Sequence, residues 1–309
     1  NHKNDVRCKV EHDTYIWQDL KGAFMKQKTA LLVDSGIDVP SSVIKEYGIY
    51  SLPLKIIYKD REYSDGVDIQ AEEVYSNLSV EIPKTSLPGA AEAISILDRI
   101  KSDGYENVLA VTLSSGLSGT YNMISLVAKD YEGLDVQVVD TKNIGIAGGM
   151  VAIRAAEYIS EGMDFETLVK TVNEDVPDSK IFFCISTLEY LQKGGRIGLV
   201  SSMLGTALNL KPIISCNEEG IYYNVAKISG RKRSLDKMIE IATEYASKGK
   251  LYNLAVVHGG AAEDAEKVKE KLLSKLSKYK NVFEGQISPA LGVHTGPGLV
   301  GIGVQILER

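Results

Sequence analysis

Two hydroxyl-rich stretches offer the clearest chemistry in this chain. Leu113-Ser114-Ser115-Gly116-Leu117-Ser118-Gly119-Thr120-Tyr121-Asn122 lies between a run that reads as a strand, Val108 to Leu113, and one that reads as a helix, about Tyr121 to Lys129. Hydroxyls and backbone N–H groups at a helix N-terminus favour an anion, because the first N–H groups lack intrahelical partners and the helix dipole turns its positive end outward. A carboxylate or phosphate suits such a place. Ser118 or Thr120 would equally well cap its own helix, and the loop alone leaves both readings open. Thr85-Ser86-Leu87-Pro88 supplies further hydroxyls just before a helix at Ala90 to Ser102, held extended between Pro83 and Pro88.

Other chemistries fit less well. Gly116-Leu117-Ser118-Gly119-Thr120 nearly spells a nucleophile elbow, but Thr120 stands where the last glycine belongs. His258 and His294 are the histidines inside the folded region, and no acid is marked by spacing as the partner of either ring. Gly296-Pro297-Gly298-Leu299-Val300-Gly301 matches a dinucleotide fingerprint but precedes a strand instead of following one. Lys193-Gly194-Gly195-Arg196 lacks the rest of a phosphate-binding loop and reads as a tight turn. No His, Cys and carboxylate cluster has metal-ligand spacing, so no metal is expected, which also disfavours a hydrolytic enzyme; neither a cofactor nor a catalytic residue is expected in this chain.

The elements needed to position these stretches alternate between strand and helix. Thr29 to Val33 opens a strand-loop-helix unit, Ile49 to Tyr58 and Arg61 to Val67 form a hairpin, and Asp68 to Glu73 starts a capped helix. The strand Val136 to Asp140 and the helices Gly148 to Glu161 and Phe165 to Asn173 continue the alternation. Strands at Ile181 to Ser186, Pro212 to Cys216, Leu254 to His258 and Leu299 to Leu307 accompany a helix over Glu263 to Lys280 that turns Ala265, Val268, Leu272 and Leu276 inward. The expected fold is α/β with two domains: a doubly wound parallel sheet over 28–176 and an α+β domain over 177–309, whose last strand returns to the first. The serine loop then falls at the carboxyl ends of parallel strands, where such sheets bind ligands.

Composition narrows the partners. Across 309 residues the net charge is -6, which argues against nucleic acid, and the run Arg231-Lys232-Arg233 reads as a local solvated patch. No stretch approaches the roughly 18 apolar residues of a membrane helix. Cys8, Cys184 and Cys216 give no disulfide framework, as expected in a reducing cytoplasm. Residues 1–27 read as an extension outside the fold, polar and irregular up to residue 24 and without a secretion signal, with Met25 at or near the native start.

Taken together, Leu31-Leu32-Val33-Asp34-Ser35, Thr85-Ser86-x-Pro88, Leu113 to Asn122, Lys193-Gly194-Gly195-Arg196-Ile197 and His294-Thr295-Gly296-Pro297-Gly298 closely resemble the DegV family, from about residue 28 to 309. The resemblance implies a long-chain fatty acid in a tunnel between the domains. It also implies a role as the acyl-carrying subunit of a bacterial fatty acid kinase, whose ATP-binding partner phosphorylates the carboxylate for membrane phospholipid synthesis. Thr85 and Ser118 match the family's carboxylate ligands, with Ser86, Ser115, Gly119, His294 and Arg196 as further residues of the ligand site. The chain departs from the family at Ser229, where an Arg is common and which Lys227 or Arg231 would have to replace, and at Leu87, often Gln. About 0.8 kcal/mol per buried methylene gives a 15-methylene tail roughly 12 kcal/mol of gross driving force, against about 1.5–3 kcal/mol for each hydrogen bond to the charged head. The tail supplies affinity and the head supplies orientation. Two rivals remain open: a small-substrate enzyme like the dihydroxyacetone kinases, with a covalent adduct on His294 or His258, and a lipid sensor or transporter without a kinase partner.

Overall fold

A computed structural model describes residues 28–205 and 209–309; the extension expected over residues 1–27, with Cys8 and Met25, lies outside the described residues. Strand β1 (Thr29–Asp34) is buried at every position after its first. It shows no alternation of burial because both faces are covered: Leu31 and Val33 enter one core, Ala30 and Leu32 another. The chain continues through α1 (Ser41–Tyr47), β2 (Tyr50–Leu52), β3 (Lys55–Ile57), β4 (Glu62–Ser64), α2 (Ala71–Asn77), β5 (Lys84–Ser86), α3 (Ala90–Ser102), β6 (Asn107–Thr112), α4 (Thr120–Asp130) and β7 (Asp135–Asp140). Four of these strands form a parallel sheet in the order β2-β1-β6-β7. Leu97 and Ile100 of α3 and Ile124 of α4 cover one face.

The other face is covered by α5 (Ile146–Ser160), which is buried almost all round. It packs on β1 and β6 and also on three strands of a second sheet, which leaves only Arg154, Glu157, Tyr158 and Ser160 at least partly exposed to water. Gly149 permits this approach, since a Cβ there would overlap the Ile37 carbonyl oxygen. After α6 (Phe165–Asp175), the turn Val176–Asp178 leads into β8 (Ser179–Cys184). Then come α7 (Glu189–Lys193), β9 (Leu210–Cys216), β10 (Tyr222–Ser229), α8 (Arg231–Ala246), β11 (Leu251–Gly259), α9 (Ala262–Lys275), β12 (Tyr279–Gln286), α10 (Pro289–Thr295) and β13 (Leu299–Glu308). The second sheet runs β10-β9-β8-β13-β11-β12, with only β11 and β12 parallel.

Several expectations change in detail. The last strand does not return to the first sheet: β13 lies between β8 and β11 and bonds to both along most of its length. The hairpin of β3 and β4 gains a third strand, because Thr85-Ser86 adds β5 to the free edge of β3. The helix expected to reach Lys280 ends at Lys275, and the next residues become the edge strand β12. Helix α8 is disguised in sequence by its charged start, yet turns Leu235, Met238, Ile239 and Ala242 into the core. Within the run that opens it, Arg231 is paired with Asp264 of α9 at 3.0 Å. The G-x-G-x-x-G match does join α10 to β13, so it opens no helix.

Candidate functional site

The site is assembled from four segments: β5, α10, the turn after α7 and the serine loop before α4. Pairing of β5 with β3 sets Thr85 opposite Ile56, and α10 carries His294 in its last turn. Thr85 Oγ1 lies 2.6 Å from His294 Nε2, a contact spanning 209 residues of sequence. Burial, followed by the positive charge of Arg196, pushes the His294 pKa down to about 4, so the ring is neutral at pH 7. Its Nδ1 is buried without a hydrogen-bond partner. Gly194 explains how the ring fits, since any Cβ there would collide with Nδ1.

Gly195, at φ 71°, turns the chain, and Arg196 then folds back across the site. Its Nη1 donates to the Gly194 carbonyl at 2.8 Å and its Nε to the Leu117 carbonyl at 3.3 Å. Arg196 thereby ties the segment after α7 to the serine loop. That loop is held from the other side by the tip between β9 and β10: Ser114 Oγ donates to the Gly220 carbonyl at 2.8 Å, and Gly220, at φ 76°, has no room for a Cβ beside Ser114.

Ser118 stands one residue before Gly119, the N-cap position of α4, so it is not itself the cap residue. Its Oγ lies 2.9 Å from Thr120 Oγ1 and accepts from Thr120 N at 3.3 Å, which steadies the start of α4. The same residue lines a cavity of about 50 Å³ together with Thr85, Ser86, Arg196 and His294. The remaining wall is apolar, with Leu54, Leu113, Leu117, Ile144 and Tyr222 among its residues. Leu87, half-exposed, lies at the same cavity where the family often has Gln, and gives this end an apolar edge.

Two of the expected residues stand elsewhere. Ser115 does not line the cavity: its N donates to Asp140 Oδ1 at 3.1 Å and its Oγ accepts from Lys142 Nζ at 3.3 Å. Burial alone would raise the Asp140 pKa, but hydrogen bonds to it from Ser115 and from Lys142, whose Nζ lies 2.9 Å away, hold it below its ordinary value. Gly119 is the N-terminal cap position of α4 and rests against Leu87, outside the cavity lining. Ser86 lines the cavity with its hydroxyl bonded to the Leu87 carbonyl at 3.0 Å. Ser229, at the family's Arg position, accepts from Asn209 Nδ2 at 3.2 Å, and Arg231 is held by Asp264.

No serine-histidine pair forms here, because Ser118 bonds to Thr120 and His258 Nδ1 accepts from Ala261 N at 3.3 Å. Among the described residues, no group of three or more His, Cys, Asp or Glu is arranged to hold a metal ion, and no helix is long and apolar enough to cross a membrane. Sequence reading passed over Tyr222, which is buried against Phe183 in a T-shaped contact at 5.4 Å and faces the cavity. It also passed over Asp38 and Asp65, and over what Asp34 bonds to; the three are polar anchors behind the cavity wall.

The chain is similar to known proteins over most of its length. The family model described as "uncharacterised protein, DegV family" matches residues 28–306. A DegV domain-containing protein of Clostridium acetobutylicum is 42% identical over 276 residues, covering 89% of this chain and 98% of its own. One from Clostridium perfringens is 42% identical over 282 residues, covering 90% of this chain and 99% of its own. Among solved structures, a fatty-acid-binding DegV family protein from Thermus thermophilus superposes with a TM-score of 0.85 at 26% identity, covering 90% of this chain and 99% of its own. The DegV protein of Bacillus subtilis, described as a fatty acid binding protein, does so with a TM-score of 0.83 at 27% identity and covers 90% and 99%. A stearic-acid-binding protein from Eubacterium ventriosum gives 0.81 at 26%, covering 90% and 98%.

Proposed function

Since this chain belongs to the DegV family, we propose that it binds a long-chain fatty acid, with the carboxylate at Thr85, Ser118 and His294 and the tail between the two sheets. The observation that carries this reading is one cavity with a hydroxyl, imidazole and guanidinium end and an aliphatic wall. Relatives of the same fold described as fatty acid binding support it. Neutral His294 donates or accepts according to its tautomer, and Thr85 and Ser118 each bring a hydroxyl proton to a carboxylate oxygen. Arg196 lines the cavity and adds a positive charge there, and its bonds to the Leu117 and Gly194 carbonyls engage only two of its five N–H donors.

A cavity of about 50 Å³ takes on the order of four water-sized groups, enough for a head group. The tail therefore enters by parting the apolar walls, with residues 28–176 and 177–309 acting as the two halves that clasp it. Burying the tail supplies the affinity, as the roughly 0.8 kcal/mol per methylene requires. The protein then presents the carboxylate to an ATP-dependent kinase subunit for acyl-phosphate formation and performs no chemistry alone. Separating carrier from catalyst lets the head meet a phosphoryl donor while the tail stays out of water. Purified protein, its kinase subunit, ATP and palmitate should yield acyl phosphate, and the Thr85→Ala/Ser118→Ala pair should cut that yield at least tenfold while palmitate remains bound. Full turnover by the double variant would remove these residues from the head site. Absence of turnover by the unaltered pair of proteins would remove the kinase role.

A further inference from the structure

Three aspartates outside the cavity hold its walls. Asp34, at the end of β1, accepts from Gly36 N and, across 79 residues, from Leu113 N, both at 2.7 Å. Asp65, just after β4, accepts from Ala290 N at 2.8 Å and from Ser35 Oγ at 2.6 Å. Ser35 Oγ in turn accepts from Leu54 N at 3.0 Å. Asp38 accepts from Ser288 N at 3.1 Å, at the cap position of α10. Leu54, Leu113 and Ala290, the backbone groups reached from Asp34 and Asp65, all line the cavity.

Aspartate is a costly choice for such places. Burial raises the pKa of all three, with the neighbouring carboxylates adding to the effect at Asp34 and Asp38. What a carboxylate offers in return is two acceptor oxygens on one short stem, able to join donors from two elements at once. Asp34 joins its own turn to the strand end before the serine loop, and Asp65 joins the turn after β1 to the helix that carries His294. Asp34 and Asp65 have both oxygens engaged in this way, whereas Asp38 uses Oδ1 alone and its buried Oδ2 has no hydrogen-bond partner.

We propose that Asp34, Asp38 and Asp65 are positioning residues for the head site, fixing the serine loop, the β3 edge and α10 in one register so that Ser118, Thr85 and His294 converge on a single carboxylate. This rests on the fatty-acid reading above.

Asp38 gives the cleanest test, because it sits at φ 49°, ψ 39°, where glycine is unstrained and asparagine is tolerated. Asp38→Gly removes the carboxylate without backbone conflict, and Asp38→Asn keeps one acceptor for Ser288 N. Affinities for tetradecanoate and 1-tetradecanol share the tail and differ only in the head. Asp38→Gly should weaken tetradecanoate tenfold or more, the scale of one hydrogen bond to a charged group, while changing 1-tetradecanol less than threefold; Asp38→Asn should restore most of the loss. Asp65→Ala and Asp65→Asn should repeat the pattern. Equal losses for both ligands, or no loss for either in Asp38→Gly, would overturn the positioning role while leaving fatty acid binding in place. If the unaltered protein binds the acid no better than the alcohol, the head site fails and this role with it.

Discussion

Replacing His294 with glutamine should change how stability depends on pH. An ordinary histidine titrates near 6.5 in the unfolded chain, whereas burial and Arg196 bring this one to about 4 in the fold. The folded pKa is depressed, so between these values the unfolded state binds more protons. The stability that neutral His294 contributes is therefore complete above about 6.5 and is lost as pH falls through 4. At about 1.4 kcal/mol per pH unit over about two and a half units, the loss approaches 3 kcal/mol. Asp34 has the opposite slope, because burial raises its pKa to about 7, so the effect must be read as the difference between wild type and His294→Gln. Chemical denaturation at half-unit steps from pH 8 to pH 4 measures that difference, and NMR of the imidazole Cε1–H gives the midpoint directly. The stability difference should shift by about 3 kcal/mol in favour of the variant on acidification. Parallel curves, or a His294 midpoint above 6, would refute the argument from burial. Added fatty acid should raise the midpoint, because a carboxylate beside the ring favours its protonated form.

Gly220→Ala should lower the thermal midpoint by several degrees, since the new methyl overlaps Ser114 Oγ at a residue whose φ is 76°; overpacking of this kind costs about 1–3 kcal/mol, and a calorimetric shift under one degree would contradict it. Asp34→Asn should destabilise by about 1–3 kcal/mol at pH 5, because the amide nitrogen must face one of two backbone N–H donors. Asp34 has a raised folded pKa, so its contribution is complete below about 4 and is lost as pH rises through 7. The gap between wild type and Asp34→Asn, read from denaturant midpoints, should therefore narrow towards pH 8.

What was legible in the sequence were elements with a local cause. The apolar runs of β1 and β6 and the helix Ala90–Ser102 needed nothing beyond period and flanking turns. Strands β10 and β12 escaped because they alternate only partly and carry charges on their exposed sides, while α8 hid its inward face behind Arg231-Lys232-Arg233. For the same reason hydroxyls in two loops could be noticed, yet not that Ser115 turns away to Asp140 while Ser118, three residues on, lines the cavity. Side-chain direction inside a loop depends on distant partners, here Gly220 and Lys142. The aspartate anchors are the extreme case: Asp34-Ser35 was visible as the end of a strand, but its role depends on Leu113, Asp65 and Ala290, brought together only by the fold.

The most direct test of the account is native mass spectrometry, followed by organic extraction, of protein purified from a bacterial host without added ligand. One saturated or monounsaturated long-chain fatty acid per chain is expected, displaced by added palmitate and bound less tightly after Thr85→Ala. A protein that carries no lipid and takes up none when fatty acid is supplied would contradict it.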